Sequence, residues 1–302
     1  SVYGAAVSGD TPTSFWRFDE ATGPLVDQQG FMNGTYLGSP TRAVSGLLVG
    51  DVDTAVQLDG TSQYLDVPAA TAWTPPAFSV EVLVRPSALP VNKTIWSTQG
   101  SFNGWWLNTG PSGNVRMFIG DGAAWRYDAS GPVLNAGTTY HLVATYDGTN
   151  ARLYVDGALV STGPAVTMVT NGGANVMRFG AFSTGPGQYW PGKLDDASFY
   201  PVALTAAQVQ AHRNASVTGS AATSTATPVV TASAPVSVSA PVVSGVAQEG
   251  QTLSASSGSW SGTVPISYAY QWQRCSPACV DVAGASASSY VVAAADVAAT
   301  VR

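Results

Sequence analysis

The chain holds only three glutamates, Glu20, Glu81 and Glu249, and two histidines, His141 and His212. Cleavage of a glycosidic bond needs two carboxylates flanking that bond. On a strand this means acids two residues apart, so that they share a face. Glu81 stands alone on its segment, with Ser79 and Leu83 as same-face neighbours. Neither histidine lies in a catalytic motif, and no G-x-S-x-G elbow occurs. No catalytic site is predicted. The aromatics carry more chemistry. There are nine Trp and twelve Tyr in a chain with few charges. Trp105 and Trp106 are adjacent, so on a strand only one of them can enter a core. Trp125 and Tyr127, with Arg126 and Asp128 between and beside them, follow the Gly120-Asp121-Gly122 turn. Tyr189 and Trp190 sit in a Gly/Pro loop at 185–192. Exposed rings beside Asp, Asn and Arg can stack a pyranose face and hydrogen-bond its hydroxyls. Trp105, Trp125, Tyr127, Tyr189 and Trp190 are the candidate platforms, and packing of a second sheet is the competing use of each ring. The two cysteines, Cys275 and Cys279, fit one small disulfide and no four-ligand metal site. A disulfide implies an oxidising, extracellular setting.

The composition narrows the partners. Of 302 residues only 10% are charged, the net charge is −6 and the pI is near 4.7. An ordinary soluble protein is about 25% charged. Lys93 and Lys193 are the only lysines. A basic footprint for nucleic acid is therefore missing, and an anionic membrane surface is a poor partner. No apolar run approaches the roughly 18 residues of a membrane span. The first residue is Ser1, as expected of a processed product or a fragment.

The elements that must hold these residues are short strands. Phe78–Arg85 alternates, with Phe78, Val80, Val82 and Val84 on one face. Residues 140–146 and 151–155 alternate too, and Asp156-Gly157 leads directly into 158–160 as a hairpin turn. The single predicted helix runs 205–213, with Thr205 as its N-cap. Many strands and one late helix predict an all-β sandwich. Residues 215–241 carry no charge and no aromatic, only Ser, Thr, Ala, Pro, Val and Gly, and read as a linker. The chain thus divides into a domain at 1–214, a linker at 215–241 and a small domain at 242–302.

Five ordered segments carry a resemblance. They are Phe15–Glu20 with Asp27–Thr35, Ala55–Gly60 with Tyr64–Val67, and Phe78–Pro86. Tyr140–Gly148 with Leu153–Gly157 follows, then Gly192–Tyr200 with Ala203-Leu204. Together they resemble a laminin-G-like module with the concanavalin A-like jelly-roll fold. The tail, with Gly258-Ser-Trp260, Tyr270–Cys275, Cys279 and Ser289-Tyr290, resembles an Ig-like β-sandwich repeat of bacterial cell-surface proteins. That likeness implies that Trp260 and Trp272 are core, and that the last strand, begun at 299–302, continues further. The first likeness implies a jelly roll used both by lectins and by β-glucanases, and the glucanase pattern E-x-D-x-x-E is missing.

Modules of the first kind often hold a structural Ca2+, which takes carboxylates and turn carbonyls as hard oxygen ligands. The likeness carries the ligand role to Asp27, Asn33 and Asp195. Alternation puts Asp195 on the apolar side with Ala197 and Phe199, where a carboxylate needs a cation or backbone N–H partners. The expected protein is an extracellular or cell-surface, non-catalytic module that binds a glycan or cell-surface polysaccharide. The alternative is a structural subunit that joins other copies of itself by strand addition. Nucleic acid and membrane insertion are not expected.

Overall fold

The computed structural model describes residues 1–185, 187–218 and 231–302, and the backbone alone of residues 99, 127 and 128. The chain forms two compact units, Ser1–Ala222 and Thr223–Arg302. The first opens with helix α1 (Val2–Gly9), followed by β1 (Ser14–Trp16), β2 (Thr35–Leu37), β3 (Thr41–Ser45), β4 (Thr54–Asp59) and β5 (Tyr64–Val67). Then come β6 (Phe78–Pro86), β7 (Thr94–Gln99), β8 (Gly104–Thr109), β9 (Asn114–Gly120) and β10 (Trp125–Val133). The unit closes with β11 (Tyr140–Tyr146), β12 (Asn150–Val155), β13 (Ala158–Ala165), β14 (Met177–Phe179), β15 (Pro191–Tyr200) and helix α2 (Ala206–Val217).

Two sheets stack as a jelly-roll sandwich. One has the order β13-β12-β11-β6-β15-β4-β3, with β1 also paired to β15. The other runs β10-β9-β8-β7-β14-β5-β2. Their facing sides share one core, in which Phe78, Val80, Val82 and Val84 of β6 meet Trp96, Trp105, Leu107 and Met117 of the opposite sheet. The alternation of β6 is therefore read correctly. Its other face is not solvated, though. Ser79, Glu81 and Leu83 are also buried, because α1 and α2 cover that side.

Helix α1 has no strong sequence signal. It is eight residues long and contains two glycines and two valines, all poor interior helix formers. Tyr3 and Val7 dock it against Leu83, Val143 and Tyr200 of the sheet, so packing rather than propensity holds it. Helix α2 matches its prediction. Thr205 and Gln208 form a capping box, which satisfies two orphan N–H groups at once. Ser79 fastens the approach to α2, donating to the carbonyl of Val202 and accepting from the N–H of Leu204.

The second unit is small and all-β, with β16 (Val236–Ser239), β17 (Val243–Ser244), β18 (Thr252–Ala255) and β19 (Ser259–Ser261). These are followed by β20 (Gln273–Cys275), β21 (Cys279–Asp281), β22 (Ser289–Val291) and β23 (Thr300–Val301). They form the ladders β16-β19, β17-β18-β22 and β21-β20-β23 over a core of Leu253, Trp272 and Val292. Cys275 and Cys279 are bridged across the β20–β21 hairpin. Two expectations change here. Trp260 is not core: it is 37% exposed on the two-stranded β16-β19 ladder, beside Tyr268 and Tyr270. The predicted linker is also shorter at both ends. Residues 219–230 lie outside the described residues, α2 reaches Val217, and the alternating Val236-Ser-Val-Ser239 forms a strand with Ser259–Ser261.

Candidate functional site

The two faces of the sandwich differ. Helices cover the outer side of the β6 sheet, whereas the outer side of the β8 sheet presents rings. Neighbours along a strand point to opposite faces, so β8 sends Trp105 inward and Trp106 outward. Trp105 is fully buried and donates its indole N–H to the carbonyl of Trp73 at 2.7 Å. Trp190 is also fully buried. Neither can stack a ligand, and both are core residues rather than platforms. Tandem tryptophans announce one inward and one outward ring, but not which is which.

Trp106 is the outward ring. It stacks on Phe118 of β9 at 5.5 Å and meets Trp125 of β10 and Phe182 edge-on at 6.1 and 4.8 Å. Its indole N–H donates to Thr94 Oγ1 at 3.0 Å, which fixes the ring plane. Phe102 adds an edge-on contact to Trp125 at 6.4 Å and is 45% exposed. Phe102, Trp125 and Phe182 line a cleft of about 260 Å3 together with Gly100, Ser101 and Thr184. Gly120 makes the geometry possible, since a Cβ there would lie 2.4 Å from the carbonyl oxygen of Phe102. The side chain of Tyr127 lies outside the described residues.

The Phe182 loop is tied down by Arg178 on β14. This guanidinium pairs with both oxygens of Asp66 at 2.5 and 2.8 Å and donates to the carbonyl of Phe182 at 2.7 Å. It also lies 4.4 Å above the ring of Tyr64, which meets the half-buried Tyr189 at 6.2 Å. Tyr189 is therefore a brace of the loop and stands apart from the cleft lining. Of the four predicted rings whose side chains are described, the structure places Trp125 alone in the cleft. Its partners Phe102 and Phe182 escaped the sequence reading because a lone Phe in a loop carries no periodic pattern.

The acids cluster at a second place. Asp27 is occupied: its carboxylate accepts backbone N–H groups from Phe15, Gln29, Phe31 and Met32 at 2.8–3.0 Å. Asn33 Oδ1 accepts the N–H of Asp27 itself. This loop is an Asx-type turn, and the structure groups Asp195 with Asp53 and Asp196 instead. The face assignment of Asp195 also needs correction. The β15–β6 register shifts between Asp195 and Ser198, and Asp196 adopts φ +45°. That bulge puts Leu194, Ala197 and Phe199 in the core, while Asp195 pairs across to Leu83 on the outer side. A simple alternation cannot foresee an inserted residue.

Ligand atoms of Asp53, Asp195 and Asp196 lie within 4.8 Å of one another. Arg17 reaches Asp53 at 2.5 Å and Asp196 at 3.1 Å, and Leu47 N–H donates to Asp195 at 2.7 Å. One oxygen of each of the three carboxylates remains buried with no hydrogen-bond partner, namely Asp53 Oδ1, Asp195 Oδ1 and Asp196 Oδ2. Burial, then the neighbouring carboxylates, push the pKa values of Asp195 and Asp196 well above the ordinary Asp range. One guanidinium does not balance three such groups. Three carboxylates this close, each with one unpaired oxygen, fit a divalent cation of the calcium type.

Glu81 anchors a third cluster under the helices. It is fully buried. It accepts hydrogen bonds from Tyr3 of α1 and Tyr200 of β15, both at 2.9 Å. His141 of β11 lies 2.6 Å away through Nε2, and His212 of α2 lies 2.9 Å away through Nδ1. His212 Nε2 in turn lies 3.0 Å from Asp10, just beyond α1. Burial opposes the Glu81 charge, but the hydrogen bonds from His141 and His212 prevail and hold its pKa below the usual value. Burial also opposes a charged His212, yet Glu81 and Asp10 outweigh it and raise its pKa. Five residues from five segments meet here, so no local spacing could reveal the cluster. Glu81 itself is fully buried, and its bonds stitch the helices to the sheet.

A two-sheet jelly roll with one face covered by helices and an aromatic cleft on the other defines a concanavalin A-like module. The chain belongs to the concanavalin A-like lectin/glucanases superfamily, whose family model matches residues 59–210, about half of its length. Among solved structures it is similar to domain 4 of an extracellular arabinanase from Geobacillus stearothermophilus, in complex with arabinotriose. The identity is 21%, with 67% of this chain and 98% of that chain covered, at a TM-score of 0.52. It is also similar to a structure of botulinum neurotoxin type C, whose cell entry depends on two ganglioside molecules. There the identity is 12%, with 70% of this chain and 52% of that chain covered, at a TM-score of 0.53. The binding domain of Paraclostridial Mosquitocidal Protein 1 is similar at 13% identity, with 71% and 53% covered and a TM-score of 0.51. This chain thus spans about half the length of the two toxin structures. Identities this low speak for the fold alone. No curated protein matches the sequence. Among the described residues, no helix is long and apolar enough to cross a membrane.

Proposed function

We propose that the first unit is an extracellular, non-catalytic glycan-binding module that uses the cleft of Phe102, Trp125 and Phe182. The single observation that carries this reading is a set of solvent-reaching rings on a sheet face that no helix covers among the described residues. Stacked apolar sugar faces would lie on the rings. Thr184 and Ser101, both exposed at the rim, would meet hydroxyls. The similar arabinanase domain holds arabinotriose and the similar neurotoxin depends on gangliosides, which supports a glycan over other small ligands. We also propose that Asp53, Asp195 and Asp196 hold a structural Ca2+, which would neutralise the buried carboxylates and fix the β15 bulge.

A glycan array is the test, with arabinotriose and ganglioside oligosaccharides among its members. Truncating a ring at the centre of a binding site costs about 2 kcal/mol, roughly 30-fold in affinity. Trp125→Ala and Phe182→Ala are each expected to lose capture by about that factor while melting like the parent. Capture indifferent to both changes, or no capture of any glycan by the parent, would sink the reading.

A further inference from the structure

We propose that the glycan site continues across the β9–β10 hairpin into a second, polar subsite, so that its ligand is a neutral oligosaccharide rather than a single terminal sugar. This rests on the glycan-binding reading of the first cleft. Trp125 and Arg126 are consecutive on β10, an end strand of its sheet. Consecutive strand residues face opposite ways, and here each faces a cleft. Trp125 walls the cleft of Phe102 and Phe182. Arg126 walls another of about 490 Å3, with Asp121, Pro164, Val166, Thr167 and Val169.

One short hairpin tip separates the two clefts and is held from both sides. The N–H of Gly122 donates to the carbonyl of Phe102 at 2.7 Å. The N–H of Val169 donates to the carbonyl of Gly120 at 2.9 Å, and the N–H of Gly104 to the carbonyl of Val169 at 2.8 Å. Phe102 and Val169 thus line opposite clefts while gripping the same tip. A Cβ on Gly122, at φ +85°, would come to 3.2 Å from the Val169 side chain, so the tip sits close on the second wall. The spacing of the two clefts is set by this grip, and a ligand that bridges them needs no loop to move.

The chemistry of the second cleft complements the first. Asp121 accepts the backbone N–H groups of Ala123 and Ala124 at 2.9 and 2.7 Å, which fixes its carboxylate. It also pairs with the guanidinium of Arg126, whose side chain is 51% exposed. A carboxylate and a guanidinium side by side offer an acceptor and donors to adjacent hydroxyls. Their charges cancel, and among the described residues the first cleft is lined by no charged side chain. The combined site therefore suits a neutral glycan, with one sugar stacked on the rings and a neighbour hydrogen-bonded at Arg126.

Titration of the full chain tests this with the shortest glycan captured on the array and with homologues one and two sugars longer. For the parent chain, affinity is expected to rise about tenfold with the added sugar. Arg126→Ala is expected to abolish that rise while leaving the affinity for the shortest glycan unchanged. Trp125→Ala is expected to weaken every length alike. A rise that survives Arg126→Ala, or a parent chain indifferent to length, overturns the second subsite and leaves the first cleft standing. If Trp125→Ala is silent, or the array captures nothing, the first reading falls and this one with it.

Discussion

Replacing Glu81 by Ala is expected to lower the melting temperature of the first unit by about 10 °C. The carboxylate is buried and holds four donors, from Tyr3, Tyr200, His141 and His212. Deleting one side of a buried, hydrogen-bonded charge cluster costs about 3–5 kcal/mol, because the partners stay buried and unpaired. For a domain of this size each kcal/mol shifts the midpoint by about 2–4 °C. Arg85→Ala, on the same strand and exposed, is the control and should move the midpoint by no more than about a degree. Equal melting of Glu81→Ala and the parent would refute the stitching role.

The same cluster makes stability depend on pH in a definite direction. Glu81 has a lowered pKa in the folded chain. Its contribution is present above the ordinary value of 4.5 and is lost as pH falls toward the folded pKa. His212 has a raised pKa. Its contribution is full below the ordinary value of 6.5 and is lost as pH rises through the folded pKa. Both contributions are whole between these two ordinary values. Melting curves should therefore peak at mildly acidic pH and decline toward alkaline pH. Glu81→Gln should flatten the alkaline decline, since it removes the charge that raises His212. An alkaline decline of unchanged size in Glu81→Gln would contradict this assignment.

The second large effect concerns the carboxylates at the β15 bulge. Under the proposed calcium binding, chelation is expected to lower the midpoint by about 10 °C, because a ligand at a thousand times its Kd stabilises by about 4 kcal/mol. Asp195→Asn should remove the response to both chelator and added Ca2+. Calcium binding followed by calorimetry gives a readout independent of melting. A parent chain whose midpoint and titration ignore Ca2+ would eliminate the site. Among the described residues, Arg17 would then be left as the counter-charge that reaches Asp53 and Asp196.

The strand alternations decided much in advance. Val80, Val82 and Val84 enter the core because period-2 apolar patterning leaves them no other low-energy face, and Thr205 caps α2 because its hydroxyl reaches the N–H of Gln208. These are local effects, encoded within a few residues. The sequence failed wherever the answer depended on distant segments. Trp105 and Trp106 are equivalent in sequence, and only the opposite sheet determines which is core. Asp195 changes face because one extra residue enters β15. α1 exists because Tyr3 and Val7 find a sheet to pack on. Phe102 and Phe182 join Trp125 because a backbone hydrogen bond from Gly122 and the Arg178–Asp66 pair bring two loops over one strand. By itself, then, the sequence determined the layers of the sandwich, through side-chain periodicity. The tertiary structure alone determined its cleft and its buried charges, because those are assembled from residues far apart in the chain.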